Sequence, residues 1–258
     1  MAFSPEYRTY SRASAATTAA VLDAGLRAYM LRVYNWMMSG LVLTGIVAYV
    51  IAYYPPLHAL FYQDVMTPMG VIHNRPTALA MISIFAPLAF VLVLSMGVNR
   101  LSVGAAQTLF WLFCASMGAS LTNIFLAYTG ESIVRVFFIT AATFAGMSVY
   151  GYVTRADLSR MGSFMIMGLW GIIIAALVNM FLQSSGLQFA ISVIGVVVFT
   201  GLTAYDTQRI KSDYVQFAYA EGTELAAKRS VYDSLSLYLN FINLFMLLLQ
   251  LMGNRNNS

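Results

Sequence analysis

The chain alternates between long runs almost free of charge and short connections where most of its Lys, Arg, Asp and Glu residues collect. A hydrocarbon core about 30 Å thick is crossed by about 20 apolar residues at a rise of about 1.5 Å each. Seven stretches reach that length: 33–53, 78–98, 104–127, 133–153, 162–182, 187–205 and 235–252. They are too long for strands of a membrane barrel and do not alternate with period two. The pattern predicts an all-α integral membrane protein, a seven-transmembrane-helix bundle. Residues 1–26 lack the apolar core of a signal peptide and read as a polar, mobile amino-terminal arm ahead of a membrane domain over 27–258.

Local signals sharpen two ends. Glu131 and Arg135 stand in the favourable i, i+4 order at the start of the fourth span. The longest cytoplasmic connection, 206–234, contains TELAAKRSVYDS, with Thr223 placed to cap a helix and Glu224 and Lys228 four apart. This helix is expected to run into the last span. Small residues (Ala115, Ala119, Gly168 and Gly171) are expected to let neighbouring helices approach closely.

Composition excludes a water-facing surface: 60% of residues are hydrophobic and 9% charged, against about 25% charged in soluble domains. Mean hydropathy is +0.73. The net charge of +4 lies in the connections and tails, where it sets orientation rather than marking a nucleic-acid partner. Counted over alternate connections, Arg8, Arg12, Arg27, Arg32, Arg100, Arg155, Arg160, Arg209, Lys211, Lys228 and Arg229 put 11 cations on one side. Arg75, Arg135 and Arg255 put 3 on the other. The amino terminus is therefore expected in the cytoplasm and the carboxyl terminus outside. Cys114, the single cysteine, lies in an apolar run and permits no disulfide framework.

Polar groups at membrane depth cost roughly 2.5–3.5 kcal/mol when charged, so they are the candidates for function. Asp206, in GLTAYDTQRIK, is the first ionised group after the sixth span, and Arg209 and Lys211 follow it. As the last residue of a helix it would sit at the unfavourable end of the macrodipole. The last span, SLYLNFINLFMLLLQLMG, carries Asn240 and Asn243 on one face and Gln250 about 15 Å further along the axis.

Three segments together resemble the bacterial branch of the Bax inhibitor-1 family. They are LTNIFLAYTGESIVRVFFITAATFAGMSVYGYVTRADLSRMGSF, FAISVIGVVVFTGLTAYDTQRIK and LSLYLNFINLFMLLLQLMG. The resemblance implies a seven-helix bundle with a central last helix, in the bacterial inner membrane. It also implies a pH-sensitive calcium leak in which two aspartates at the cytoplasmic mouth share a proton. The sixth-helix aspartate of that pattern matches Asp206. The seventh-helix aspartate, in the pattern LYLDFINLF, falls on Asn240, and Gln250 stands where the family commonly has an arginine. The second span, ALAMISIFAPLAFVLVLSMGV, offers no basic partner for the aspartate.

The ion-gating and pH-sensing site is therefore expected at Asp206 and Asn240, with Asn243, Gln250 and Arg209 as supporting polar groups. An amide donating to a carboxylate favours its ionised form, so proton gating should be weak or shifted toward acid. Asp206 is a weak calcium ligand at best, since hard cations take several oxygens. Calcium is expected as a transported ion, with no cofactor. Catalysis finds no foothold. The AYD at Ala204–Asp206 suits an intramembrane aspartyl protease, but no other span supplies a second aspartate. The last helix has no lysine for a retinal Schiff base, and His58 and His73 form no metal-ligand pattern. The alternative is a non-conducting partner of a membrane-bound ATP-dependent protease, to which the family resemblance also points and for which residues 1–26 would serve as the handle.

Overall fold

In the computed structural model, which describes residues 5–67, 70–97, 100–217 and 223–256, helix α1 runs unbroken over Pro5–Tyr53. Side chains are described over 21–66, 73–97, 100–216 and 225–256. The remaining elements are α2 (Pro55–Phe61), β1 (Tyr62–Thr67), β2 (Gly70–Pro76), α3 (Ala78–Gly97), α4 (Val103–Ser120) and α5 (Thr122–Ala127). They continue with α6 (Gly130–Val153), α7 (Ser159–Leu182), α8 (Ser185–Phe217) and α9 (Thr223–Met252). Among the described residues, seven helical stretches are long and apolar enough to cross a membrane, α4 and α5 together making the third. The predicted bundle is therefore present, with every expected span inside one of them or within a residue of it.

Helix ends follow local chemistry. Ser102 caps α4 by accepting from the Ala105 N–H at 3.3 Å, and Thr129 caps α6 by accepting from Ser132. Gln183 ends α7 in the left-handed conformation at φ 52°. Leu121, at φ −87° and ψ 1°, separates α4 from α5 within one span. The expected Thr223 cap and Glu224–Lys228 pair rest on side chains outside the described residues, but α9 does start at Thr223 and runs straight into the last span.

Helix α9 packs against α1, α4, α6 and α8 and is the most buried span, with 56% of its apolar window inside the bundle against 6% for α7. The last helix is thus central and α7 peripheral. Leu237, Tyr238, Leu244 and Leu249 on α9 are fully buried. Phe110 and Phe113 meet Tyr238 edge-on, and Phe137 and Phe144 do the same to Phe241. Two glycines set the closest approaches to the backbone of a neighbouring helix: a Cβ on Gly151 would strike the Ala204 backbone, and one on Gly118 would lie 2.6 Å from the Thr44 carbonyl. Gly168 faces Val198, whereas Gly171 faces open space and supports no close approach.

Three features depart from the sequence reading. Residues 5–26 belong to one continuous helix with the first span, and Leu26 is already buried in the core. Residues 1–4 lie outside the described residues. The connection after the first span carries an antiparallel hairpin, β1–β2, so the fold is not wholly α. Its partners alternate around a register shift between Gln63 and Val65, and Asn74 takes a left-handed φ of 56° that asparagine tolerates. Finally, the sixth span does not stop at Tyr205 but continues as helix to Phe217.

Candidate functional site

Because α8 continues for three further turns, Asp206 is a helix-interior residue and the macrodipole penalty expected of a helix end does not apply. Its side chain is 13% exposed. The Asn240 Nδ2–H donates to Asp206 Oδ2 at 2.7 Å, and Arg209 Nη2, one turn along the same helix, lies 3.0 Å from Oδ1. Both carboxylate oxygens thus carry a donor. A buried charge needs such pairing, and the local sequence D-x-x-R supplies half of it on one helix face. Arg209 also reaches toward Ser236 Oγ on α9, at 3.5 Å. Its Nε is buried without a hydrogen-bond partner among the described residues.

Beside this pair runs a ladder of hydroxyls. Thr207 Oγ1 donates to the Thr203 carbonyl and lies 3.0 Å from Ser148 Oγ on α6, and Ser148 is in turn bonded to the Tyr34 hydroxyl on α1. Deeper in the bundle, Thr44 donates to the Cys114 carbonyl at 2.9 Å and lies 2.6 Å from the Tyr238 hydroxyl. These hydroxyls are therefore partnered and tie α1 to α4, α6, α8 and α9.

Two expected members of the site stand elsewhere. Asn243 donates to the Leu239 carbonyl of its own helix at 2.8 Å rather than to Asp206. Gln250 belongs to a separate network at the other end of α9. Its Oε1 accepts from Gln188 Nε2 at 2.7 Å and Ser192 Oγ at 3.0 Å. Gln188 in turn accepts from Asn179, whose own Oδ1 accepts from the Ser184 N–H and so stabilises the α7–α8 turn. These amides line a cavity of about 480 Å³ with Arg255 at its edge.

One carboxylate was missed from sequence. Asp233 lies on α9 two turns before Asn240 and accepts from the Tyr29 hydroxyl of α1 at 2.5 Å. Tyr29 stacks obliquely on Tyr214 of α8, with centroids 4.9 Å apart. Arg209, Asp213 and Arg229 act on Asp233 electrostatically. Asp213 follows Asp206 by seven residues, as Asp233 precedes Asn240 by seven, so α8 and α9 present two polar layers on facing sides. The signal was legible as that seven-residue spacing, but Asp233 lay in a charged connection that read as solvated.

For a cation, the geometry at Asp206 is a closed one. A calcium ion takes six to eight oxygens, and no group of three or more His, Cys, Asp or Glu residues occurs among the described residues. With a donor already on each oxygen, Asp206 meets an ion more readily once Asn240 or Arg209 lets go. The hairpin face is more open. There Asp64 accepts from the Asn74 N–H at 3.0 Å and from His73 at 3.0 Å, and both hold its carboxyl below the usual range, the backbone bond most strongly. His58 pairs with Asn74 at 3.0 Å. A cavity of about 610 Å³ lies between this hairpin and α3, α4 and α5, lined also by Asn123 and Asn256.

Comparison with known proteins places this architecture. The family described as "Inhibitor of apoptosis-promoting Bax1" matches residues 26–257. An uncharacterized protein of Rickettsia prowazekii (strain Madrid E) is 46% identical over 235 residues, 91% of this chain and 93% of the relative. Inner membrane protein YbhL of Escherichia coli (strain K12) is 43% identical over 232 residues, 90% of this chain and 94% of the relative. An uncharacterized membrane protein of Streptococcus pyogenes serotype M3 is 32% identical over 234 residues, covering 91% and 96%. With a family match running from the start of the buried core in α1 to the end of the chain, and relatives matched over nearly their whole length, this seven-helix membrane protein belongs to the Bax inhibitor-1 family.

Proposed function

We propose that the protein is a slow calcium or cation leak in the bacterial inner membrane, gated at Asp206 and Asn240. The observation that carries this reading is a carboxylate held inside the bundle between the two most buried spans, with Asn240 on one oxygen and Arg209 on the other. A structural charge at this depth is costly, and an apolar residue would pack α8 against α9 without it. Opening frees Asp206 from Asn240 or Arg209 so that its oxygens face a passing ion. Asn240 cannot titrate, so conduction varies little between pH 5 and 8 in this chain. The protein lies with its amino terminus in the cytoplasm, which places Asp206 toward the cytoplasmic mouth. The name of the Escherichia coli relative supports the membrane assigned.

The test is ion flux from proteoliposomes. Asp206→Asn should abolish calcium release above that of empty liposomes, whereas deletion of residues 1–20 should leave it intact. The opposite pattern, unchanged flux in Asp206→Asn with loss of a protease-linked phenotype on the deletion, would favour the interaction role instead.

A further inference from the structure

A shallow groove of about 620 Å³ lies on the outer face of the bundle between α1 and α4. Arg32, Asn35, Trp36, Ser39 and Trp111 line it. Arg32 is exposed and, among the described residues, makes no ion pair, unlike Arg27 with Asp23, Arg135 with Glu131 and Arg209 with Asp206. The indoles of Trp36 and Trp111 lie 5.5 Å apart, centroid to centroid, and close the groove beneath it.

The depth of this groove follows from packing. Gly40 sits against Cys114 and Gly118 against Thr44, so α1 and α4 run in the same direction and Arg32 lies about one turn inside the Ser102 cap of α4. Side chains on a helix lean toward its amino end, so on both helices they lean toward the same membrane surface. Arg32 is thereby brought to headgroup level, with the two tryptophans just below, where indoles favour the interface. Further along α1, Met38, Val42 and Ile46 are each at least half exposed and form an apolar strip leading away from the groove into the hydrocarbon.

We propose that this groove binds an anionic phospholipid, with the phosphodiester at Arg32, the headgroup against Asn35 and Ser39, and one acyl chain along Met38, Val42 and Ile46. The charge complementarity of an unpaired guanidinium in a face that lipid must cover is what selects an anionic occupant over a zwitterionic one. This inference is independent of the leak reading.

Fluorescence quenching tests it in the full-length protein. Trp170, exposed on α7, is removed as Trp170→Phe so that Trp36 and Trp111 report on the groove. The protein is reconstituted in phosphatidylcholine with increasing fractions of lipid brominated near the top of its chains, as either phosphatidylglycerol or phosphatidylcholine. Brominated phosphatidylglycerol should quench at about fivefold lower mole fraction, the preference expected of one basic residue at an anionic surface. Arg32→Gln should remove that preference and Arg32→Lys should keep most of it. The control carries Trp36→Phe and Trp111→Phe, leaving Trp170 to report general lipid contact, and should show no preference. Equal quenching by the two lipids at the groove, a preference that survives Arg32→Gln, or an equal preference at Trp170 would each overturn the proposal.

Discussion

At Asp206, each carboxylate oxygen has its own donor, and the cost of removing one depends on what is left behind. Asn240→Leu takes the amide from Oδ2 and leaves a buried acceptor unpaired, which should destabilise the protein by about 1–3 kcal/mol and lower its melting temperature in detergent. Asn243→Leu removes a bond that α9 makes only to its own Leu239 carbonyl and should have the smaller effect. A larger loss from Asn243→Leu would reverse this ranking of the two amides. Among these residues, the Asp206–Asn240 pairing was legible because the family pattern aligns both positions. The placement of Gln250 was not, because its partners Gln188 and Ser192 come from the start of α8 and no periodicity within α9 points to them. Asp64 supplies a pH prediction on the hairpin. Its carboxyl is held below its ordinary value of 3.8, so its contribution to hairpin order is complete above that value and is lost as pH falls through the lower folded one. Hydrogen exchange at the Asn74 amide should therefore stay protected near neutral pH in the wild type and rise in Asp64→Asn, while equal protection in both would remove this role.

Between elements, contacts are set by where a backbone has no room for a side chain. Gly151 on α6 meets the Ala204 backbone of α8 two residues before Asp206, and neither backbone can yield independently of its helix. Gly151→Ala should cost about 1–3 kcal/mol by overpacking and shift α8 enough to disturb Asp206. Gly171→Ala, facing open space, should be neutral or stabilise by up to about 1 kcal/mol through helix propensity. Thermal unfolding of the two variants separates them, and equal melting temperatures would contradict the packing described. Sequence could mark these glycines only as small residues in apolar runs. Which ones touch a neighbour depends on helix rotation, and the low charge of lipid-facing and buried faces alike hides that rotation from a hydropathy pattern. The same blindness explains α8. Its last three turns carry Asp206, Arg209, Lys211 and Asp213, so hydropathy ended the span where the helix in fact continues. The hairpin escaped notice because a strand pair of this length is brief beside seven long apolar runs.

For the whole molecule, span number and sequence order followed from runs of about 20 residues nearly free of charge, since only helices and closed barrels satisfy backbone groups in hydrocarbon and these runs are too long for barrel strands. The centrality of α9 is a packing outcome that composition alone did not carry, as its hydropathy is only middling among the seven spans. Orientation rests on the unequal distribution of cations. A membrane-impermeant thiol reagent applied to intact spheroplasts should label Arg75→Cys on the hairpin and spare Arg155→Cys in the α6–α7 connection, with Cys114 buried and silent in both. The reverse labelling would invert the bundle and move Asp206 to the external mouth.

As proposed, Asp206 gates a cation leak whose proton sensitivity is muted by Asn240. Calcium efflux from proteoliposomes at pH 5 to 8, for wild type and Asn240→Asp, tests it most directly. Wild type should show measurable, nearly pH-independent efflux. In Asn240→Asp, two carboxylates within hydrogen-bond reach share a proton, and efflux becomes pH-dependent. Efflux no greater than that of empty liposomes in both proteins at every pH would contradict it.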